Sequence, residues 1–547
     1  MKKILALLLC LVMVAALAAC GSSGGSNTPA QPSGGGSSTP AQPSGGGSGS
    51  STPAQPSGGG SSTPAASTIT RDTVKCAVDG DCGTLHPYYV SGSGYLMVLL
   101  NYAEPLLIDD GTNPVRYLLC ESYERPSNMD YILHLRKGIK FSNGSDFTAD
   151  DVIFSFETMQ GCPTTIRNVD FEKTKKIDDY TVELVFTEPS INHLAAMSFI
   201  CMVDKETYDA DAMAQHPVGT GPYIVTDYVV NSEVKMTANP DYWGGEAAIK
   251  NIVFKNINEP AQKITAYETG EVDYIYNVPG ADADYLESLP NSYLIKKMTM
   301  STACLTFNCS PSSSLHSREA RLAVAYATNS DAIRQVAYNG YGEIPTCCFS
   351  SANSDYTSEM DYLNDTYKTG YDLTKAKEYA EKGDLIGKQV RLITNGSDAF
   401  VSTAQIIEQA LKEIGVKAEV INMDQPTVRS KINEEDGWEI YVAFVAGGTG
   451  YGFDLMHAQA IKFNRTHFDW DTEVFQYFSE MGDKMNLMTD KDEFMKADLE
   501  YMQKFEDYCP VFSHLGMVTI KAAKDYIQGI MTEGNSHDLV YDWSFTY

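Results

Sequence analysis

Residues 131–136 form a β-favouring run in which Tyr131, Leu133 and Leu135 share one face, the period-two pattern of a strand with one side in a core. Lys137-Gly138 and Asn143-Gly144 mark turns in the stretch after it. Thr148-Ala149-Asp150-Asp151 has the form of a capping box, and Val152, Ile153, Phe156 and Met159 supply the apolar stripe of the helix it opens. Further on, 390–394 reads as a strand. Residues 402–414 read as a helix with Ala404, Ile407, Leu411 and Ile414 on one face, and Gly415 suits its C-terminal cap. Val416, Ala418 and Val420 then alternate with Lys417 and Glu419 as a second strand, which makes a β-α-β unit with parallel strands and a right-handed crossover. Residues 223–228 and 233–237 read as an antiparallel hairpin. The pattern predicts an α/β protein: mixed sheets with covering helices, spread over more than one lobe.

The amino terminus has a different logic. Lys2 and Lys3 precede an apolar stretch from Ile4 to Leu17, too short to span a bilayer comfortably. It ends in Leu17-Ala18-Ala19-Cys20, which resembles a bacterial lipobox. The resemblance implies that 1–20 is a lipoprotein signal peptide, cleaved before Cys20, whose sulfur then carries a diacylglyceryl group. Two acyl chains anchor stably where one would leak away. The alternative is an ordinary secretory peptide; export is expected under either reading. From 21 to 68 the chain is rich in Ser, Gly and Pro, and the unit Thr-Pro-Ala-Gln-Pro-Ser-Gly-Gly-Gly occurs at 28–36, 39–47 and 52–60. Such a composition cannot bury enough apolar surface to offset its ordering entropy, so a disordered tether with a reach of about 35–45 Å is expected. Gly21-Ser22-Ser23-Gly24-Gly25 matches the hydrolase pattern Gly-x-Ser-x-Gly but lacks its strand-turn-helix setting.

The remaining body, 69–547, exceeds the ~250–300 residues at which one core stops growing. The chain carries 41 Lys+Arg against 71 Asp+Glu, a formal charge of −30 that opposes binding to nucleic acid or anionic lipid. After Cys20 come Cys76, Cys82, Cys120, Cys162, Cys201, Cys304, Cys309, Cys347, Cys348 and Cys509. Export permits disulfides, and Cys76 with Cys82 or Cys304 with Cys309 lie close enough in sequence to pair. A chain this large needs no staples, however, and many of these cysteines sit among apolar neighbours as small hydrophobes would. There is no Cys-x-x-Cys, no His-Glu-x-x-His and no Walker pattern, so neither a metal nor another cofactor is expected.

Seven blocks stand in a familiar order: Asn101-Tyr-Ala-Glu-Pro-Leu-Leu-Ile-Asp-Asp110, His134-Leu-Arg-Lys-Gly-Ile-Lys-Phe-Ser-Asn-Gly144, Phe147-Thr-Ala-Asp-Asp-Val-Ile-Phe154, Pro217-Val-Gly-Thr-Gly-Pro-Tyr223, Asn239-Pro-Asp-Tyr-Trp-Gly-Gly245, Tyr267-Glu-Thr-Gly-Glu-Val-Asp273 and Arg321-Leu-Ala-Val-Ala-Tyr-Ala327. Together they resemble the peptide/nickel class (family 5) of ABC-transporter solute-binding proteins, over nearly the whole body. Taken alone, Gly219-Thr-Gly221-Pro222-Tyr223 reads as a tight turn rather than a phosphate loop, and Asp241 to Gly244 as a loop closed by an aromatic anchor. The resemblance implies a two-lobed periplasmic-binding-protein-like fold of the large three-domain type. Domain I would combine about 69–108, 218–305 and 515–547; domain II, 109–217; domain III, 306–514. The chain would cross between lobes near Asn308 and again near 510–514, and two crossings make a hinge.

The implied function is capture of a small solute, most readily a peptide, by lobe closure outside the cell, and then delivery to ABC permease subunits. No enzymatic activity is implied, and a monomer is expected. Relatives use an aspartate in a Gly-Trp-x-x-Asp block to pair with the peptide's α-ammonium. Here Phe444 stands for the tryptophan, Gly447 or Gly448 falls where the aspartate would be, and Asp454 arrives later, as ligand partner or as cap for a helix over 455–461. The glycine-rich loop would let backbone approach a ligand, with Tyr451 and Phe453 available to stack. His86, Tyr88 and Tyr89 come after the first strand, where cleft residues often lie, although core packing of the tyrosines competes with that role. Tyr276 and Asn277 stand at a similar level, and Asn308 marks the crossing. Alternatives are the same scaffold holding an oligosaccharide, a nickel chelate or another solute, or acting as a peptide-sensing receptor. The lipobox and long tether fit the outer face of the cytoplasmic membrane in a single-membrane, Gram-positive bacterium.

Overall fold

A computed structural model describes residues 71–546 apart from 91–93, 110–113, 161–167, 447–449, 470–471 and 533–537. The expected signal segment, Cys20, the expected tether with its repeats, Cys162, Gly447 and Gly448 lie outside the described residues.

Ten strands form one mixed sheet, in the order Lys417–Asn422, Gln389–Thr394, Ile440–Val445, Ser292–Phe307, Val511–Lys524, Tyr274–Ile275, Thr73–Val78, Asn251–Asn256, Glu233–Ala238 and Tyr223–Val229. The two long central strands, Ser292–Phe307 and Val511–Lys524, run antiparallel to each other. Their register slips between Met298 and Thr302. Beyond the slip, Thr302–Phe307 pairs with Ile440–Val445; on the near side, Ala522 and Ala523 pair with Tyr274–Ile275. Each half of the sheet is therefore attached to its own end of this two-strand ribbon. The irregularity falls ahead of the expected crossing at Asn308, a buried residue whose amide donates to the Glu435 and Trp438 carbonyls while its Oδ1 accepts from the Ser310 N–H.

The β-α-β unit forms as its periodicity predicts: Gln389–Thr394 and Lys417–Asn422 are parallel, and Gly415 adopts φ +90. Its helix runs Asp398–Glu413, starting ahead of the predicted 402, because Phe400 is already buried and Asp398 suits the positive first turn. The hairpin Tyr223–Val229 with Glu233–Ala238 is antiparallel.

A second, four-stranded antiparallel sheet has the order Cys120–Glu124, Asp130–Leu135, Thr181–Val185, Lys175–Asp178. Tyr131, Leu133 and Leu135 point into its core, and the helix Ala149–Met159 covers it with Val152, Phe156 and Met159. The capping box closes as read: the Thr148 N–H donates to Asp151 Oδ2 at 2.8 Å. Separate hydrophobic clusters underlie this sheet and the two ends of the larger one.

Two sequence blocks acquire different physical reasons. A Cβ on Gly219 would lie 2.1 Å from the Tyr102 carbonyl oxygen, and one on Gly221 would lie 2.6 Å from the Tyr102 carbonyl carbon. The two glycines permit close approach of chain to chain, a reason the tight-turn reading did not contain. Arg321 is fully buried, and its guanidinium donates to the carbonyls of Leu315, His316, Tyr508 and Cys509, tying off the helix Lys491–Tyr508. Neither suggested disulfide forms: Cys76, Cys82, Cys304 and Cys309 are separate buried thiols, each packed in a hydrophobic cluster. Burial pushes the Cys82 thiol up to about 12, with the Asp81 charge adding to it, so it is inert.

Candidate functional site

After the strand Thr181–Val185 the chain turns through Pro189 into a short helix, His193–Met197. Facing it are the helix Gly452–His457 and a π-helical turn, Ala458–Lys462. Between these elements lies a cavity of about 480 Å³, within the range of small-ligand sites. Asn168, Phe186, Ser190, Asn192, His193 and Ala196 line it from the four-stranded side; Ala446, Asp454, Leu455, His457, Ala458, Lys462 and Asn486 line it from the other.

The far wall is held by buried carboxyls. Asp355 accepts from the Gly452 and Phe453 N–H groups at 2.7 and 2.8 Å, satisfying two donors that begin the helix. Burial raises Asp355 to about 6 and Asp498 well above the usual range, with the charges of Asp355 and Asp454 also acting on Asp498. His457 shares a hydrogen bond of 3.0 Å between Nδ1 and the Tyr501 hydroxyl, and burial lowers it to about 4, so it is neutral at physiological pH.

A hydrogen bond joins the two walls: Asn192 Nδ2 donates to Asp454 Oδ2 at 2.7 Å. The neighbouring Ile191 packs against the hydrophobic cluster of the opposite wall. The carboxylate fixes which way the Asn192 amide faces, and this leaves Asn192 Oδ1 buried with no hydrogen-bond partner among the described residues. His193 stacks on Phe186 with centroids 3.8 Å apart, and both its ring nitrogens are likewise buried without a partner there. The Glu188 carbonyl lies near the ring but outside hydrogen-bond geometry. Burial, helped by the Arg125 charge, lowers His193 to about 4.

Of the residues singled out from sequence, Asp454 alone among the described ones lines this cavity. It sits in the first turn of Gly452–His457, with Tyr451 at the cap position, so it does not cap a helix over 455–461. Phe453 has no exposed face: His457, Phe494 and Tyr501 surround it, and Tyr451 meets Phe494 edge-on. Both aromatics are thus core residues here, which corrects their expected availability for stacking; both pack against Phe494 of the helix Lys491–Tyr508. Phe444 is 48% exposed beside Phe400. His86 bonds through Nε2 to the Tyr208 hydroxyl, and Tyr88 is buried with its hydroxyl donating to the Cys201 carbonyl, while Tyr89 is exposed. Tyr276 packs beside Gly94, and the carbonyl of exposed Asn277 accepts from Lys263 Nζ.

Sequence reasoning missed the near wall. Its one signal was a histidine and an asparagine leading an otherwise apolar run, Asn192-His-Leu-Ala-Ala-Met197, just after a strand-breaking Pro189. Nothing in that run reveals what lies opposite.

Comparison with known proteins agrees with this architecture. Heme-binding protein A of Haemophilus influenzae is 23% identical over 456 residues, covering 74% of this chain and 81% of its own. The dipeptide-binding protein of Escherichia coli is 27% identical over 402 residues, covering 66% and 73%. The solved ABC transporter-associated periplasmic binding protein DppA from Helicobacter pylori, in complex with the peptide STSA, superposes with a TM-score of 0.70 at 21% identity, over 86% of this chain and 98% of its own. The family described as bacterial extracellular solute-binding proteins, family 5 (middle), matches residues 114–463, more than half of the chain. With its two-lobed α/β fold and a ligand-sized cavity between facing elements, the chain belongs to the family 5 bacterial extracellular solute-binding proteins.

Proposed function

We propose that this protein is the extracytoplasmic solute-binding component of an ABC importer and that its solute is a short peptide. The observation that carries the reading is the charge pattern of the cavity: Asp454 stands on its lining together with Lys462. A zwitterion with an ammonium at one end and a carboxylate at the other complements such a lining, whereas a neutral sugar offers no opposite charge to either side chain. The dipeptide specificity named for one relative and the peptide bound by a structural neighbour support the same class.

The register slip at 298–302 in the central ribbon supports a hinge, and the separate hydrophobic clusters support a division near 69–108, 218–305 and 515–547 for domain I, 109–217 for domain II and 306–514 for domain III. Closure over a solute is then driven only by the difference in solute affinity between closed and open forms. The closed form is what permease subunits in the membrane would recognise. The lipobox-like Leu17-Ala18-Ala19-Cys20 and the tether at 21–68 support anchoring of Cys20 by lipid on the outer face of the cytoplasmic membrane of a Gram-positive cell.

Isothermal titration against di- and tripeptides and a panel of oligosaccharides tests the ligand class, with any co-purified solute identified by mass spectrometry. Peptide binding accompanied by compaction in solution scattering is the expected result. Saccharide binding with no peptide response would overturn it. For the anchor, Cys20→Ala should release the protein from the membrane fraction into the medium.

A further inference from the structure

Behind the far wall of the cavity the fold buries a carboxyl group with nothing to bond to. Asp498, on the helix Lys491–Tyr508, is 0% exposed, and neither of its side-chain oxygens has a hydrogen-bond partner among the described residues. Its carboxyl lies within reach of Asp355, and the charges acting on it, those of Asp355 and Asp454, are both negative. The other titratable groups around the pair are Tyr451, Tyr501 and Cys348, all buried and all held neutral by that burial. Two carboxylates are acceptors only, so they cannot satisfy each other. One proton changes this: the protonated member donates to the other, and the pair carries one negative charge instead of two.

The hydrogen bonds decide which member stays ionised. Asp355 accepts from the Gly452 and Phe453 N–H groups, one on each oxygen, and such bonds favour the charged form. Asp498 accepts from no N–H, so burial acts on it unopposed and the proton resides there.

We propose that Asp355 and Asp498 are positioning residues that share one proton and through it fix the start of the helix Gly452–His457, and with it the place of Asp454 and His457 on the cavity wall. The proposal rests on the reading of this cavity as the solute site and adds that solute binding is coupled to a proton held off the cavity lining. With the proton present, Asp498 donates to Asp355 while Asp355 holds the two amides. Without it, two like charges adjoin in a poorly hydrated place with Asp454 as a third, and their separation pulls on the bonds to Gly452 and Phe453. The native protein keeps on Asp498 a proton that the unfolded chain releases at lower pH. Rising pH therefore weakens the arrangement, and falling pH does not.

The test compares wild type, Asp498→Asn and Asp355→Asn as full chains between about pH 6.5 and pH 10. Amide hydrogen exchange over 451–457, with labelling times corrected for the intrinsic pH dependence of exchange, reads the helix start. Calorimetry with di- and tripeptides reads the cavity, and thermal midpoints are recorded alongside. In wild type, protection of this segment and peptide affinity should fall together by about tenfold as pH rises. Asp498→Asn gives Asp355 a permanent N–H donor, so both should stay level. Asp355→Asn leaves one acceptor oxygen for two amides and should lose about tenfold in protection at every pH. A merely structural Asp498 would shift the thermal midpoint of Asp498→Asn and leave its pH profile like that of wild type, which would overturn the proposal. So would a flat wild-type profile, a result available even if a variant fails to fold. A wild type that binds no peptide, yet loses protection with rising pH as Asp498→Asn does not, would overturn the peptide reading and leave the shared proton standing.

Discussion

Tyr242 donates its hydroxyl to Glu104 Oε1 at 2.7 Å, and its neighbour Trp243 donates Nε1 to Glu104 Oε2 at 3.2 Å. Two sequence blocks, 101–110 and 239–245, are therefore held together by one carboxyl group. Burial raises Glu104 to about 7, while the two hydrogen bonds pull the other way. Glu104→Ala should cost about 2–4 kcal/mol, because it strands two donors in a poorly hydrated place. Glu104→Gln keeps one acceptor and should cost less. Urea unfolding at pH 8 measures both; equal losses would show that the bonds to the carboxyl are not what matters.

Glu506 gives the protein a pH-dependent stability. It is buried, its Oε1 accepts from the Cys348 N–H at 2.6 Å, and burial raises it to about 8. The native protein thus keeps a proton that the unfolded chain releases near pH 4.5. This group's contribution is complete below about 4.5 and is lost as pH rises towards 8, a span worth on the order of 3–5 kcal/mol. Thermal midpoints should fall between pH 5 and 8.5 in the wild type and fall less in Glu506→Gln, the neutral mimic.

Gly482 lies within the helix Glu473–Asn486, where alanine is intrinsically better by about 1 kcal/mol. A Cβ there would sit 2.0 Å from His457 Cε1, and His457 is tied to Tyr501. Gly482→Ala should therefore destabilise by about 1–3 kcal/mol despite its helix propensity. Adding His457→Ala should recover part of that loss, which a double-mutant cycle by denaturant unfolding would show.

Asp454 is the acidic side chain on the cavity lining. Asp454→Ala should weaken binding of a cationic-amine solute by about 1.5–3 kcal/mol in calorimetry. Unchanged affinity would remove it from the site. The same variant loses the Asn192 bond, so its scattering profile without solute should shift towards a more open form.

Where local pattern decides, sequence and structure agree closely. The face of Tyr131, Leu133 and Leu135, the Thr148–Asp151 capping box and the parallel pair flanking Asp398–Glu413 depend on side chains within a few residues of one another. Alternation, caps and turns are short-range physics, and a sequence states them directly. The order of the blocks likewise carried the family.

The site was different. Asp454 was visible as a late aspartate, but its partner Asn192 lies 262 positions away and only the fold brings the two together. Phe453 and Tyr451 looked like ligand-facing aromatics until packing against Phe494 and Tyr501 turned them inward. Gly219 and Gly221 read as a turn, but only the fold shows that the Tyr102 backbone occupies the space a side chain would need. Sequence by itself determined the α/β class, the local elements and the family. Tertiary structure alone decided which polar groups share a cavity, because burial and pairing across sheets depend on what the far chain brings.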